Sequence, residues 1–228
     1  MIKYLLLDLD DTILDFHEAE YHAIRRTLSA FDIEPTDAVC DLYSKINLAH
    51  WKALERKEIT REQLEVSRFQ QLFEQLHITK DAAACGKLYY ENLSDCHFFL
   101  PGAYEAVERL SKKYELYMVT NGTSKVQHRR IAGANLEPLF CDIFISQEMG
   151  ADKPDMVFFQ NAIGRIEEFD PAQAMIVGDS ISSDIRGGKN AGIATCWINP
   201  KGKQPPEHTV PDYQIASITQ LETLLKDL

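Results

Sequence analysis

The chain has 228 residues, and its 24 basic and 35 acidic residues give it a net charge of −11 with histidine neutral. An acidic surface repels the backbones of nucleic acids and the headgroups of anionic membranes, so a nucleic-acid polymer and a membrane are both disfavoured as partners. A small phosphorylated metabolite is not excluded, because a bound cation can invert the local field of an acidic site.

Short apolar runs rich in β-branched or aromatic residues recur along the chain, and each has the length of a strand. These runs span residues 4–9, 115–120, 142–146, 174–178 and 194–198. Helical patterns, such as those of residues 103–113 and 156–165, lie between the later runs. The alternation predicts the α/β class, with a doubly wound, mostly parallel sheet that helices cover on both faces.

The stretch between the first two runs differs, because it shows helical periodicity and contains no convincing strand. Its predicted helices span residues 17–31, 37–56, 61–76 and 81–94. Thr60 and Gln63 form a plausible capping box before the third of them. The sequence therefore predicts two domains: a core formed by residues 1–14 and 100–228, and an inserted all-helical domain formed by residues 15–99.

The N-terminal apolar run meets Asp8 too early to serve as a signal peptide or a membrane span. The five cysteines are odd in number and widely scattered, which favours buried reduced thiols over disulfides or metal knuckles. We therefore expect a cytoplasmic protein, and the sequence leaves its oligomeric state open.

Acidic side chains crowd the end of the first predicted strand, where the chain reads Asp8-Leu9-Asp10-Asp11-Thr12. Like charges this close raise each other's proton affinity unless a cation or hydrogen-bond donors compensate them. Mg²⁺ prefers hard oxygen ligands and commonly takes one or two carboxylates. Asp8 and Asp10 therefore indicate a magnesium site, whereas Asp11 is expected to end the strand or cap the next helix.

The other predicted strands also end in polar residues. Thr120, Asn121 and Gly122 supply a hydroxyl and a flexible backbone whose amides can point at an oxyanion. Lys153 precedes Pro154 at the entrance of a helix, where an ammonium could neutralise phosphate oxygens.

The fourth run adds two more carboxylates. It ends in Gly178-Asp179, and Asp184 follows five residues later. Each of these polar strand ends is common by itself in turns, solvated loops or helix caps. Their joint occurrence at successive strand ends favours a phosphoryl-transfer site.

With these motifs in order, the chain resembles the haloacid dehalogenase superfamily over essentially its whole length. The motifs are Asp8-x-Asp10-x-Thr12, Thr120-Asn121-Gly122, Lys153-Pro154 and Gly178-Asp179-x-x-x-x-Asp184. The insert resembles the family's helical C1 cap, and the predicted core would be its Rossmann-like fold. The resemblance implies a phosphatase that depends on Mg²⁺ and forms an aspartyl-phosphate intermediate.

The resemblance also implies roles for individual residues. Asp8 would attack phosphorus, and Asp10 would protonate the leaving oxygen and then deprotonate water. Thr120, the following amides and Lys153 would surround the transferring oxygens. Mg²⁺ would be held by Asp8, the backbone carbonyl of Asp10 and Asp179, with Asp184 acting through water or as an orienting group.

Substrate choice would depend on the helical insert. Asn47 and Trp51 share a helix face, and Arg68 lies on the following helix, so an amide, a ring and a guanidinium could read a base. Packing of Trp51 and a surface ion pair of Arg68 are the alternatives. The segments 46–51, 58–61, 68–69 and 197–200 resemble the branch of pyrimidine 5′-nucleotidases, although Lys57 stands where that branch tends to have glycine.

Three other functions remain as competing hypotheses. A phosphatase or phosphomutase acting on a small sugar phosphate or phosphoglycolate would share every core motif. A haloacid dehalogenase would need neither a metal nor the acid Asp10. A non-enzymatic phospho-aspartate receiver module would have no reason for a helical insert of about 85 residues, a length estimated from periodicity.

Overall fold

The computed structural model describes residues 1–226 and 228. The chain divides into two compact units. We call Met1–Phe16 with Phe98–Leu228 the core unit, and His17–His97 the helical unit. The sequence prediction put the boundaries of the insert at residues 15 and 99.

The described residues of the core unit form a six-stranded parallel sheet. Its strands are β1 (Tyr4–Leu7), β2 (Glu115–Thr120), β3 (Asp142–Ile145), β4 (Ala174–Gly178), β5 (Ala194–Ile198) and β6 (Tyr213–Ile215). The strand order is β3-β2-β1-β4-β5-β6, so the direction of winding reverses between β1 and β4. In doubly wound sheets, ligands bind outside the carboxyl ends of the strands at this reversal.

Helices cover both faces of the sheet, as predicted. The α-helices of the core unit are α5 (Ala103–Ser111), α6 (Ser124–Gly133), α7 (Ser146–Met149), α8 (Met156–Ile163), α9 (Arg186–Asn190) and α10 (Leu221–Lys226). Leu5 and Leu7 of β1 pack on one face with residues of α5, α6 and α10, and Tyr4 and Leu6 pack on the other with residues of α8. Strands buried on both faces read as continuous apolar runs, which is why the strands were legible in the sequence.

The helical unit holds the rest of α1 (Phe16–Ala30), which begins in the core unit, and three further helices. These are α2 (Asp37–Glu55), α3 (Arg61–Gln75) and α4 (Ala82–Ser94). The capping box predicted for Thr60 and Gln63 is present, and Asp81 caps α4 by accepting from the N–H of Ala84. Caps satisfy backbone donors that the first helical turn leaves without partners, so they fix where each helix begins.

Lys57 follows α2 with φ of 60°, in the left-handed region that favours glycine. Glycine adopts this conformation without strain, so the glycine that the resemblance implies at this position would fit the same backbone. Among residues 1–226 and 228, none of the helices combines the length and the apolar character that crossing a membrane requires.

Candidate active site

The candidate site begins at the carboxyl end of β1, which lies beside the reversal of the sheet. The N–H of Asp8 donates to the carbonyl oxygen of Val177 at 2.9 Å, which extends the pairing of β1 with β4 by one residue. Leu9 packs into the core, so the alternation along an extended chain directs Asp8 and Asp10 away from it. Asp8 is buried, whereas the side chain of Asp10 is 24% exposed. Asp11 accepts from the N–H of Phe16 at 3.0 Å, in agreement with its predicted capping role.

Lys153 lies at the centre of this carboxylate cluster. Its buried ammonium donates to Asp8 Oδ1 at 2.8 Å, to Asp184 Oδ1 at 2.7 Å and to the carbonyl oxygen of Val119 at 2.6 Å. Burial alone would lower the pKa of Lys153, but the carboxylates of Asp184 and Asp8 raise it above its ordinary value. Since an ammonium has three donors, these three bonds use all of them. Lys153 therefore orients the Asp8 carboxylate directly.

Asp184 is held equally firmly. Its Oδ1 accepts from Lys153, and its Oδ2 accepts from the backbone N–H of Ser180 at 3.0 Å. A β-carbon at Gly178 would lie 2.2 Å from Asp184 Oδ2, so only glycine leaves room for this fully buried carboxylate. Asp179 is partly buried, and its backbone carbonyl accepts from Trp197 Nε1 at 2.7 Å.

Asp8, Asp179 and Asp184 could hold a metal ion. Their nearest carboxylate oxygens all lie within 4.8 Å of one another. Burial raises the pKa of Asp8 to about 8 despite the nearby Lys153, and burial with the charges of Asp184 and Asp8 raises the pKa of Asp179 well above its ordinary value. When all three carboxylates are ionised, one ammonium leaves two negative charges uncompensated, and the oxygen donors are those that Mg²⁺ prefers. A divalent cation therefore fits this donor set.

Three of the predicted phosphate-binding residues, Thr120, Asn121 and Gly122, lie at the end of β2 and in the loop after it. Thr120 is buried, and Asn121 brackets the backbone of Lys153 by donating to its carbonyl oxygen at 3.0 Å and accepting from its N–H at 2.8 Å. The N–H of Gly122 donates to the hydroxyl of Ser146 at 3.0 Å, which differs from the expectation that it points at a ligand. Asn121 thus joins the loop after β2 to the loop that carries Lys153. A contact of Asn121 or Gly122 with phosphate stays a prediction.

Two further residues at the site, Gln127 and Arg130, were missed by the sequence prediction. Arg130 Nη1 donates to Asp10 Oδ1 at 2.6 Å, and Gln127 Nε2 donates to Asp10 Oδ2 at 2.9 Å. Both belong to the buried stripe of α6 that contains Val126 and Ile131. Their position beside the apolar Val126 and Ile131 is the signal that the sequence carried, but it does not distinguish a buried polar residue from a surface one.

The three residues predicted to read a substrate lie in the helical unit. Asn47 Nδ2 donates to Glu20 Oε1 at 2.6 Å, and Asn47 Oδ1 accepts from Arg68 Nη1 at 2.8 Å. Arg68 is 1% exposed, so its alternative interpretation as a surface ion-pair partner is wrong. Its guanidinium lies inside the unit, 4.8 Å from the ring of Tyr89.

Trp51, one turn further along α2 than Asn47, is partly exposed. Its ring centroid is 5.5 Å from the guanidinium of Arg61. The structure thus joins Asn47 and Arg68 through direct hydrogen bonds, whereas Trp51 contacts a different arginine. A single amphipathic helix does not reveal which of its polar residues will find partners inside.

Comparisons with known proteins agree with this geometry. Residues 5–198 match the haloacid dehalogenase-like hydrolase family. The HAD-hydrolase YfnB of Bacillus subtilis (strain 168) is 36% identical over 223 residues, which cover 98% of this chain and 95% of the relative. The pyrimidine 5′-nucleotidase PynA of Streptococcus pneumoniae is 36% identical over 220 residues, with coverages of 96% and 93%. The pyrimidine 5′-nucleotidase YjjG of Escherichia coli is 28% identical over 222 residues, with 97% of each chain covered.

Among solved structures, the crystal structure of YfnB bound to magnesium matches with a TM-score of 0.94 at 35% identity and covers 98% of both chains. These similarities confirm the predicted superfamily, the predicted fold and the predicted enzyme class. The strand-end motifs and the full-length similarity lead to one conclusion: the chain belongs to the haloacid dehalogenase-like hydrolase family.

Proposed function

We propose that this protein is a Mg²⁺-dependent phosphomonoester hydrolase that forms an aspartyl-phosphate on Asp8 and acts on pyrimidine nucleoside 5′-monophosphates. The observation that carries the proposal is the pair Asp8 and Asp10, in which each carboxylate has its own set of donors. Asp8 is bonded to Lys153, and Asp10 is bonded to Gln127 and Arg130. Two carboxylates in different environments can take two different roles in one reaction.

In the first step, a carboxylate oxygen of Asp8 forms a bond to phosphorus while the ester P–O bond breaks. Asp10 gives its proton to the leaving oxygen, which receives the electron pair of the broken bond. In the second step, water attacks the phosphoryl group on Asp8 and Asp10 takes the proton of that water. Inorganic phosphate leaves, and the Asp8 carboxylate is regenerated.

Asp8, Asp179 and the backbone carbonyl of Asp10 would hold Mg²⁺, and Asp184 would support it by fixing Lys153. When bound, the ion offsets the negative charge of the carboxylates and of the phosphoryl oxygens. The crystal structure of YfnB, which is 35% identical, is bound to magnesium. Thr120 at the end of β2 would contact the phosphoryl oxygens.

The substrate class rests on similarity. PynA and YjjG, at 36% and 28% identity over nearly the full chain, are pyrimidine 5′-nucleotidases. The segments around Asn47, Trp51 and Arg68 resemble that branch in the sequence. Asn47 donates to Glu20 and accepts from Arg68, so we assign Asn47 and Arg68 the shaping of the helical unit. We assign contact with a base to the partly exposed Trp51.

The test is a hydrolysis screen, with and without Mg²⁺, over nucleoside 5′-monophosphates, sugar phosphates and phosphoglycolate. We expect Mg²⁺-dependent release of phosphate, with the pyrimidine nucleotides preferred. Asp8→Asn should abolish turnover. Asp11→Asn is the matched control, because asparagine also adopts a φ of 54° and can accept from the N–H of Phe16.

Two outcomes separate the parts of the proposal. A preference for a sugar phosphate or phosphoglycolate would refute the nucleotidase assignment and leave the phosphatase assignment intact. Undiminished activity of Asp8→Asn, or release of a phosphorylated isomer in place of inorganic phosphate, would refute the hydrolytic mechanism.

A further inference from the structure

The carboxylate of Asp10 is held by one donor on each oxygen, and both donors come from α6. Arg130 Nη1 lies 2.6 Å from Oδ1, and Gln127 Nε2 lies 2.9 Å from Oδ2. A carboxylate offers about four lone-pair positions. Two of them are occupied, which fixes the plane of the group and leaves one position on each oxygen for a proton.

The donors are themselves bonded to one another. Arg130 Nη1 also donates to Gln127 Oε1 at 3.0 Å, which fixes the orientation of the Gln127 amide. The second hydrogen of Gln127 Nε2 goes to Thr120 Oγ1 at 2.9 Å. Gln127 therefore joins the strand end of Thr120, a proposed phosphate contact, to the carboxylate of Asp10.

The burial of these side chains sets them apart from ordinary surface partners. Gln127 is 3% exposed and Arg130 is 1% exposed. Burying such polar groups costs free energy unless they are hydrogen-bonded, so their bonds to Asp10 and to each other offset this cost. Their helix is anchored by Ile131, which packs into the core on the sheet.

Gly122 provides the space that Gln127 occupies. A β-carbon at Gly122 would lie 2.6 Å from Gln127 Cγ and 2.9 Å from Gln127 Nε2. Real β-carbons do not approach heavy atoms this closely, so a side chain at position 122 would displace the amide. The glycine of the Thr120-Asn121-Gly122 motif thus makes room for the donor to Asp10.

We infer that Gln127 and Arg130 are positioning residues that aim the Asp10 carboxyl group at the oxygen of the leaving group. This inference rests on the proposed phosphatase function. As the ester P–O bond breaks, its electron pair goes to the leaving oxygen and the proton of Asp10 goes to that oxygen. This transfer leaves Asp10 as a carboxylate, which the hydrogen bonds from Gln127 and Arg130 stabilise.

Leaving groups of different basicity separate this role from a purely structural one. An alkoxide leaving group needs a proton as the bond breaks, whereas p-nitrophenolate departs without one. The value of kcat/KM reports steps up to the release of that group. We therefore compare kcat/KM for p-nitrophenyl phosphate with kcat/KM for one alkyl phosphate. The alkyl substrate is whichever of uridine 5′-monophosphate, glucose 6-phosphate and phosphoglycolate the wild-type enzyme hydrolyses fastest.

The variants are Arg130→Met and Gln127→Leu, and Arg129→Met on the exposed position beside Arg130 is the matched control. For the alkyl phosphate, kcat/KM should fall roughly 10- to 100-fold in both variants, since proton transfer contributes about 10²- to 10⁴-fold in such reactions. For p-nitrophenyl phosphate it should stay within about threefold of wild type, because that step needs no proton. Arg130→Lys should recover part of the alkyl activity, since an ammonium can keep the bond to Asp10.

Equal losses on both substrates, or no loss on the alkyl phosphate, would overturn the inference. A wild-type enzyme that hydrolyses none of these esters would instead refute the proposed function itself. Circular dichroism and melting temperature establish that each variant folds. If Arg130→Met does not fold, Gln127→Leu decides the matter by the same two-substrate comparison.

Discussion

Replacing Asp179 by Asn should stabilise the protein without metal and weaken its response to Mg²⁺. Asp179 belongs to the three carboxylates whose oxygens lie within 4.8 Å of one another, and Lys153 is bonded to the other two. At that separation and an effective dielectric constant near 20, a pair repels by about 3.5 kcal/mol when both of its carboxylates are ionised. Lys153 and the partial exposure of Asp179 offset much of this repulsion. We expect a net gain of about 1–2 kcal/mol in metal-free buffer, within the range of about 0.5–2 kcal/mol that single stabilising substitutions commonly give.

Added Mg²⁺ should reverse the order of stability. A ligand at 100 times its dissociation constant stabilises the folded state by about 2.7 kcal/mol. For a chain of this length, 1 kcal/mol shifts the melting temperature by about 2–4 °C, so wild type should gain about 5–11 °C. Asp179→Asn lacks one of the proposed charged ligands and should gain much less.

The assay is thermal unfolding followed by the fluorescence of Trp197, whose indole donates to the carbonyl oxygen of Asp179. The chain has two tryptophans, so a Trp51→Phe background leaves a signal from the core unit alone. Glu137→Gln, an exposed charge change in the core unit, controls for the loss of one negative charge. Lower stability of Asp179→Asn in metal-free buffer, or an Mg²⁺ response equal to that of wild type, would refute the reasoning.

Three further outcomes follow from the same geometry. Burial raises the pKa of Asp8 to about 8 in the metal-free protein, so the folded state holds a proton on Asp8 that the unfolded state has already lost. The stability that this protonated Asp8 contributes is present at acidic pH and is lost as the pH rises through 8. The free energy of unfolding, measured in urea against Asp8→Asn, should therefore fall for wild type between pH 5 and pH 8.5. Lys153→Met leaves Asp8 and Asp184 buried without their cation and should cost about 3–5 kcal/mol, and an unchanged urea midpoint would contradict this. Trp51→Ala should raise KM for a pyrimidine nucleotide about 5- to 100-fold if the ring stacks on the base, but not KM for p-nitrophenyl phosphate, and Trp51→Phe should restore most of the affinity.

The sequence predicted the central strands well because strands buried on both faces are continuous apolar runs. It did not predict β6. That strand has only three residues, Tyr213–Ile215, of which Gln214 is exposed, and its pairing with β5 is what makes it a strand. Short edge strands depend on tertiary pairing more than on their own sequence.

The candidate site was predictable where a residue type has few other reasons to occupy its position. Carboxylates at the ends of apolar strands, such as Asp8 and Asp179, are of this kind. Gln127 and Arg130 were missed because a glutamine and an arginine in a short helix are ordinary surface residues until their burial is known. The alternative prediction of a surface ion pair for Arg68 was wrong for the same reason, since the hydrogen-bond partner of Arg68 comes from another helix.

Gly178 and Gly150 show two different reasons for glycine, and they imply different outcomes in a saturation library. At position 178 any β-carbon would meet Asp184, so selection for activity should return glycine alone. Gly150 has a φ of 72° with nothing within 4 Å of an added β-carbon, so asparagine and aspartate should be recovered beside glycine. A designer can therefore replace Gly150 by residues that accept a left-handed backbone, whereas Gly178 tolerates no substitution.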